Sequence, residues 1–315
     1  MKKFFLVLLL VSFFFQQSNA QKAKQLLEKA KALVEVNKTD SALLILKEVK
    51  EIDSLNYVAI TMIAEIYFVQ EKWEECYGTL SYGINHYPDS ADLFFYRASL
   101  LYKTVNTDAA IADYTATLKL ANDDTLIRRC LLNRGACYSQ KRAFQQAYED
   151  YFKANLIDSN NIDVLNNMAT ALDELGRSDE AISILNKIIT IDSSYIGPYV
   201  NLGYQYTKLG KYAEALRYFD KALLIDKEEP LALNNRGLTK YYLKDYTGAV
   251  TDIEASIKIY PSNSYAFKNR ALVYLALKQT DKACADLQKA LDLAFTQMYG
   301  NEVLELKKAN CDTRN

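Results

Sequence analysis

Residues 199–227 read YVNLGYQYTKLGKYAEALRYFDKALLIDK. Leu202, Tyr206 and Leu209 fall on one helical stripe, and Ala215, Phe219, Ala222 and Leu223 on a second, both with i, i+3/i+4 spacing. Gly210 separates the stripes and marks the turn of a helical hairpin. Small residues on the facing stripes let the two helices approach closely. No stretch alternates with period two over a useful length, so no sheet is expected.

The pattern recurs eight times. Small residues stand at Ala30, Ala64, Ala98, Gly135, Ala169, Gly203, Gly237 and Ala271, every interval being 34 residues except the 37 between Ala98 and Gly135. Twelve residues after each comes a second: Ala42, Cys76, Ala110, Ala147, Ala181, Ala215, Ala249 and Ala283. Such a period marks a stacked-repeat protein, in which no unit can bury its apolar face alone. Pro88, Pro198, Pro230 and Pro261 lie at or near junctions between units, where the missing N–H interrupts no helix interior. Asp123 and Asp124 sit in the three-residue insertion and read as loop.

This pattern resembles the tetratricopeptide repeat (TPR) family, whose unit carries large residues at positions 4, 7 and 11, Gly or Ala at 8, Ala at 20 and 27, a large apolar residue at 24 and Pro at 32. The unit 196–229 matches with Tyr199, Leu202, Gly203, Tyr206, Ala215, Phe219 and Ala222, and Pro88 and Pro261 occupy position 32 of their units. The first three units are more degenerate, with Val49, Gly83 and Thr117 at position 27. The resemblance implies an all-α, right-handed superhelical solenoid of eight hairpins at 23–56, 57–90, 91–127, 128–161, 162–195, 196–229, 230–263 and 264–297. A C-terminal cap, 298–315, closes it.

Position 17, where each second helix begins, is Thr39, Thr107, Ser178 or Thr280 in four units, each followed by Asp. This predicts a hydroxyl N-cap followed by an acid that complements the helix dipole. The other four units carry Trp73, Phe144, Tyr212 and Tyr246, read as aromatics packed over the hairpin.

Positions 7 and 23 covary. Arg97, Arg134, Arg236 and Arg270 occur in the units that hold Asp113, Asp150, Asp252 and Asp286; the other units have Lys29/Ile45, Ile63/Thr79, Met168/Ile184 and Leu202/Tyr218. The pairing predicts a structural, partly buried ion pair between the two helices of one hairpin. An Asp from an adjacent unit is excluded, because Arg97 and Arg236 follow units that lack it.

At the N-terminus Lys2 and Lys3 precede an apolar run, Phe4–Phe15, broken only by Ser12, and then Ser18 and Ala20. This reads as a signal peptide, residues 1–20, cleaved after Ala20, with an uncleaved anchor as the alternative. The run is 12 residues long, short of the roughly 20 that span a bilayer. The expected location is therefore the periplasm or the exterior, with no membrane span after cleavage. Removing Lys2 and Lys3 leaves 36 basic against 39 acidic side chains, a net charge of −3 and no footprint for nucleic acid.

Export places the cysteines in an oxidising compartment. Cys76 holds a small position and reads as a buried thiol. Cys130 and Cys137 lie seven apart on one helix, about 10.5 Å, too far to bridge. If a cap helix at about 301–310 packs antiparallel to the last second helix, Cys284 and Cys311 each travel about 15–16 Å from the turn and meet. A Cys284–Cys311 disulfide is expected.

One histidine, His86, leaves no usual general base or metal set. No phosphate loop, G-x-S-x-G or H-E-x-x-H occurs. The expectation is no enzyme, no cofactor and no metal. The resemblance implies instead that first helices line a concave groove, with position 6 facing inward. That position is Asn133, Asn167, Asn201, Asn235 and Asn269 over five consecutive units. An amide ladder can satisfy the backbone of an extended peptide, or it can hydrogen-bond between units. Tyr204, Tyr241, Tyr242 and Tyr265 are the expected apolar anchors. The set of Lys, Asn and Arg that the family uses to clamp a free carboxylate is not matched. The function expected is a scaffold of the cell envelope or exterior that binds protein or peptide segments; the alternative is a structural, self-associating envelope component.

Overall fold

The computed structural model describes the backbone from Lys2 to Cys311 and the side chains from Asn19 to Cys311. Among the described residues there are only helices, paired in sequence as antiparallel hairpins. They fall into two compact units, Met1–Ser159 and Asn160–Asn315. The first holds α1 (Lys2–Glu35) with α2 (Thr39–Ile52), α3 (Tyr57–Val69) with α4 (Trp73–His86), α5 (Ala91–Lys103) with α6 (Thr107–Leu120), and α7 (Asp124–Gln140) with α8 (Phe144–Ile157). The second holds α9 (Ile162–Glu174) with α10 (Ser178–Ile191), α11 (Gly197–Lys208) with α12 (Tyr212–Ile225), α13 (Pro230–Tyr242) with α14 (Tyr246–Ile259), and α15 (Ser264–Ala276) with α16 (Thr280–Asp292). Two short helices, α17 (Phe295–Tyr299) and α18 (Glu302–Asn310), follow the last hairpin.

The residues that set the period are the ones the hairpins bury. Ala30, Ala42, Ala98, Ala110, Ala147, Ala181, Ala215, Ala249, Ala271 and Ala283 have no exposed surface. Where the first helix carries glycine, the partner presses a larger group into the gap. A Cβ on Gly203 would stand 2.5 Å from the Phe219 ring, and one on Gly135 would stand 2.5 Å from the Tyr151 ring. Phe219 is fully buried as a result.

Every hairpin turns through one residue in the left-handed region: Asn37, Glu71, Val105, Arg142, Gly176, Gly210, Lys244 and Lys278, one per period. Lys72 N–H then reaches back to Tyr67 C=O at 2.9 Å and Glu71 N–H to Phe68 C=O at 3.1 Å, a Schellman closure that satisfies the helix end. Only two of the eight are glycine. Val105, at φ 61° and 70% exposed, is β-branched and gains nothing from packing there. Val105→Gly is expected to stabilise the chain by about 1 kcal/mol, the left-handed penalty less the entropy of glycine. Thermal unfolding checks it: Tm should rise by a few degrees, and a fall would contradict the account.

Two local expectations change. The hydroxyls of Thr39, Thr107, Ser178 and Thr280 are first helical residues, not N-caps; the residues before them cap with no side-chain bond. Two of them serve the next hairpin instead. Gln70 Nε2 donates to Thr39 Oγ1 at 3.3 Å and to Asp40 Oδ1 at 2.9 Å, and Thr107 Oγ1 donates to Gln140 Oε1 at 2.9 Å. Side-chain capping belongs mainly to the first helices, through Asn56, Ser90, Asp123, Asn161, Glu229 and Asn263. Second, the three-residue insertion is not simply loop. Asp123 caps α7 and Asp124 begins it, so the insertion lengthens that helix to 17 residues from the 13 of α5. Helix α1 runs unbroken through Ala20, and the first side chain that its described portion buries is Ala23. Among the described residues no helix is long and apolar enough to cross a membrane.

Candidate functional site

The frame that holds the first helices in place is ionic. Arg134 donates Nε to Asp150 Oδ2 at 2.8 Å and Nη2 to Asp150 Oδ1 at 2.7 Å, so the guanidinium fork grips the carboxylate across one hairpin. Arg97–Asp113, Arg236–Asp252 and Arg270–Asp286 repeat the geometry. The Asp hydrogen bond is the main cause raising each Arg pKa above its usual value. The third guanidinium nitrogen reaches position 25 of the preceding hairpin. Arg97 Nη1 meets Ser81 at 3.2 Å, Arg134 Nη1 meets Thr115 at 2.9 Å and Arg236 Nη1 meets Asp220 at 2.8 Å. Arg270 Nη1 lies 3.7 Å from Glu254. Each arginine thus ties its own hairpin and also staples it to its neighbour. The signal was in the sequence: position 25 is Ser81, Thr115, Asp220 or Glu254 before an Arg unit, and Lys47, Phe152 or Asn186 before a unit without one.

In the C-terminal unit, α11, α13 and α15 line a cleft of about 830 Å³. Each contributes one tyrosine: Tyr204, Tyr242 and Tyr265, between 37% and 45% exposed. Tyr242 is held by stacking on Tyr212, with centroids 5.2 Å apart and planes 14° apart. Tyr265 is held by Phe295 at 5.0 Å and Tyr299 at 4.4 Å. Burial, reinforced by neighbouring phenols, raises the pKa of both Tyr242 and Tyr265, so their hydroxyls stay protonated donors. Tyr241 does not line the cleft. Successive helical residues point about 100° apart, and Tyr241 packs on Tyr246 and the core of its own hairpin.

The asparagines do not form one free ladder. Asn269 is 2% exposed and donates Nδ2 to Asn234 Oδ1 at 3.0 Å, joining consecutive first helices. Its own Oδ1 is buried beside the cleft with no donor. Asn201 donates in the same way to Asn166 at 3.4 Å, and Asn235 accepts from Asn234 at 3.2 Å. Asn235 and Asn269 line the cleft; Asn167 and Asn201 lie outside it. Asn133 belongs to the N-terminal unit, near the Tyr114 hydroxyl. Asn201 and Asn269, at position 6, thus each meet an amide at position 5 of the preceding hairpin, Asn166 or Asn234.

The end wall of the cleft comes from the cap. Met298 and Tyr299 of α17 and Glu302 of α18 line it. Glu302 pairs with the nearly buried Lys268 at 2.9 Å. Val303 is fully buried and Leu306 packs beside it on the last hairpin. Cys284 and Cys311 are joined as a disulfide with Cα atoms 5.8 Å apart. Cys76, Cys130 and Cys137 are buried free thiols, and burial pushes them up to about 11, about 12 and about 11. They are therefore unreactive packing groups.

The architecture is that of a stacked helical-hairpin repeat protein. Tetratricopeptide repeats are found at residues 162–195, 198–229 and 234–294. Human zinc finger CCCH domain-containing protein 7B is 41% identical over 71 residues, covering 22% of this chain and 7% of that protein. Human protein unc-45 homolog B is 32% identical over 83 residues, covering 26% and 9%. The match spans less than a tenth of either relative. Among solved structures, a tetratricopeptide repeat protein from Parabacteroides merdae aligns over 91% of this chain and 99% of its own, with TM-score 0.51 and 19% identity. A thermophilic TPR protein of Thermus thermophilus aligns over 58% and 98%, with TM-score 0.53 and 18% identity. These likenesses concern the fold.

Proposed function

We propose that this protein is a non-enzymatic scaffold that binds an extended protein or peptide segment in the cleft of α11, α13 and α15, and that it acts in the periplasm or outside the cell after removal of residues 1–20. The observation that carries the binding reading is the cleft itself: Tyr204, Tyr242 and Tyr265 line an open space of about 830 Å³, with Tyr242 and Tyr265 held in place by other rings. Export is supported by the charged start, the short apolar run and Ala20, and by the Cys284–Cys311 bridge. N-terminal sequencing of the native protein should begin at Gln21; an intact Met1 on a cytosolic protein refutes export.

The binding test uses display-selected peptides. Tyr204→Ala with Tyr242→Ala should weaken the selected binders by about tenfold or more, since aromatic anchors dominate such sites, while Tm changes little. Unchanged affinity on the folded variant would move attention to the other faces of the hairpins and to self-association.

A further inference from the structure

The N-terminal unit carries a concavity of its own. Helices α6 and α8 both pack on α7, and a groove of about 440 Å³ opens between them with α7 as its floor. Leu118 of α6, Ile127 and Leu131 of α7 and Ile157 of α8 make its apolar surface. Lys119 stands on one wall and Lys153 on the other. We infer that this groove docks a partner segment presenting one large aliphatic side chain with a carboxylate on either side of it. The site is separate from the cleft of α11, α13 and α15 and does not depend on it. Two observations lead there.

The first is unanswered charge. Arg134 also lines the groove, but its guanidinium is spent on Asp150 and Thr115. Lys119 and Lys153 are exposed and enter no ion pair among the described residues, and no carboxylate among those residues lines the groove. In the C-terminal cleft, by contrast, Lys208 is met by Asp173 and Lys268 by Glu302. An aliphatic floor between two free ammoniums is complementary to an apolar group that carries acids. A fatty acid brings a single carboxylate at one end of its chain and leaves one wall unanswered. A peptide can place an acid on each side of one aliphatic residue.

The second is the insertion. Ahead of five other first helices, the residue just before the unit is a polar cap: Asn56, Ser90, Asn161, Glu229 or Asn263. In hairpin four that place is Ile127, because the three extra residues extend α7 backward by a turn and move the cap to Asp123. Leu126 of the added turn packs on the core, whereas Ile127 lines the groove. The insertion therefore supplies aliphatic wall where the repeat otherwise puts a polar group. Lysines recur at the same two positions in hairpins seven and eight, as Lys258 and Lys289, but the residue before hairpin eight is the capping Asn263. Paired lysines and an aliphatic wall residue coincide only at hairpins three and four.

Fluorescence anisotropy with the full-length protein tests this. The probes are a labelled, end-blocked peptide of one leucine between pairs of glutamates, the same peptide with glutamines, and the same peptide with alanine for leucine. The glutamate peptide should bind, and more weakly at high salt, since the ammoniums are exposed. Glutamines in the peptide, or Lys119→Gln with Lys153→Gln in the protein, should each weaken binding about fivefold or more, as expected for two surface ion pairs. Alanine for leucine should weaken it about tenfold or more. Ile127→Asn, which restores the polar residue of the other hairpins, should weaken it severalfold. Lys258→Gln with Lys289→Gln removes the same charge elsewhere and should leave affinity unchanged. Equal binding of the glutamine or the alanine peptide, undiminished binding by the Lys119/Lys153 variant, an equal loss in the Lys258/Lys289 variant, or no binding of the glutamate peptide overturns the proposal. So does laurate binding that depends on Lys119 and Lys153 while the peptide fails to bind, which assigns the groove to a single-carboxylate amphiphile.

Discussion

Asp150→Ala is expected to destabilise the chain by about 3–5 kcal/mol, because it strands the Arg134 guanidinium at a site where its side chain is 15% exposed. The geometry explains the size of the effect. Two of the Arg134 nitrogens bind Asp150, and only Thr115 Oγ1 would be left to it. Arg134→Lys should be intermediate, since an ammonium cannot reproduce the fork. The informative variant is Arg134→Met with Asp150→Ile, which copies the Met168/Ile184 pair that hairpin five already uses. It should recover most of the loss, because well-packed apolar pairs commonly match buried ion pairs. Urea unfolding of the wild type, the two single variants Arg134→Met and Asp150→Ile, and the double variant gives the cycle. A coupling below about 0.5 kcal/mol would mean that the two side chains do not act together. Thr115→Val should cost less than Asp150→Ala, because it removes only the contact to the neighbouring hairpin.

The fold was legible because it is written eight times: one unit fixes the stripes, and the others fix the period. The Arg–Asp contacts were legible for the same reason, since units with and without the pair serve as internal controls. The staple to the preceding hairpin was less so. Its acceptors are a serine, a threonine, an aspartate and a glutamate, so no single letter marks position 25. The second-helix starts were misplaced by one residue. Thr39 and its equivalents look like caps, yet the tight left-handed turn leaves Lys38 and its equivalents at the cap position. Tyr241 and Tyr242 are adjacent, and sequence spacing could not say which one faces the cleft. The end wall was hidden for a different reason. Helix α17 has five residues, too few for a periodic signal, and follows a left-handed Ala294 that ends the repeat.

Breaking the Cys284–Cys311 bridge is expected to loosen the cap and degrade the cleft while sparing the remaining hairpins. The closed loop has a sequence separation of 27, for which the chain-entropy estimate gives about 3.5 kcal/mol. That stabilisation is local. Helix α18 has nine residues, too few to persist alone, and Val303 is its one fully buried side chain. Without the bridge, α18 should open far more often, and amide exchange across 302–310 should quicken on the order of a hundredfold. Exchange in the buried turns of α12, which the cap does not touch, should not change. The opening removes Glu302 from Lys268, whose ammonium then sits nearly buried and unpaired, and it frees Tyr299 from Tyr265. Peptide affinity should therefore fall on reduction, and Cys311→Ser should reproduce the fall in oxidised protein. Glu302→Gln with the bridge intact separates the causes: it removes the charge pairing without releasing the helix, so affinity should drop with little change in exchange. Non-reducing peptide mapping that finds both thiols free in protein from its native host would remove the bridge. Unchanged exchange after reduction would show that Val303 and Leu306 hold the cap unaided.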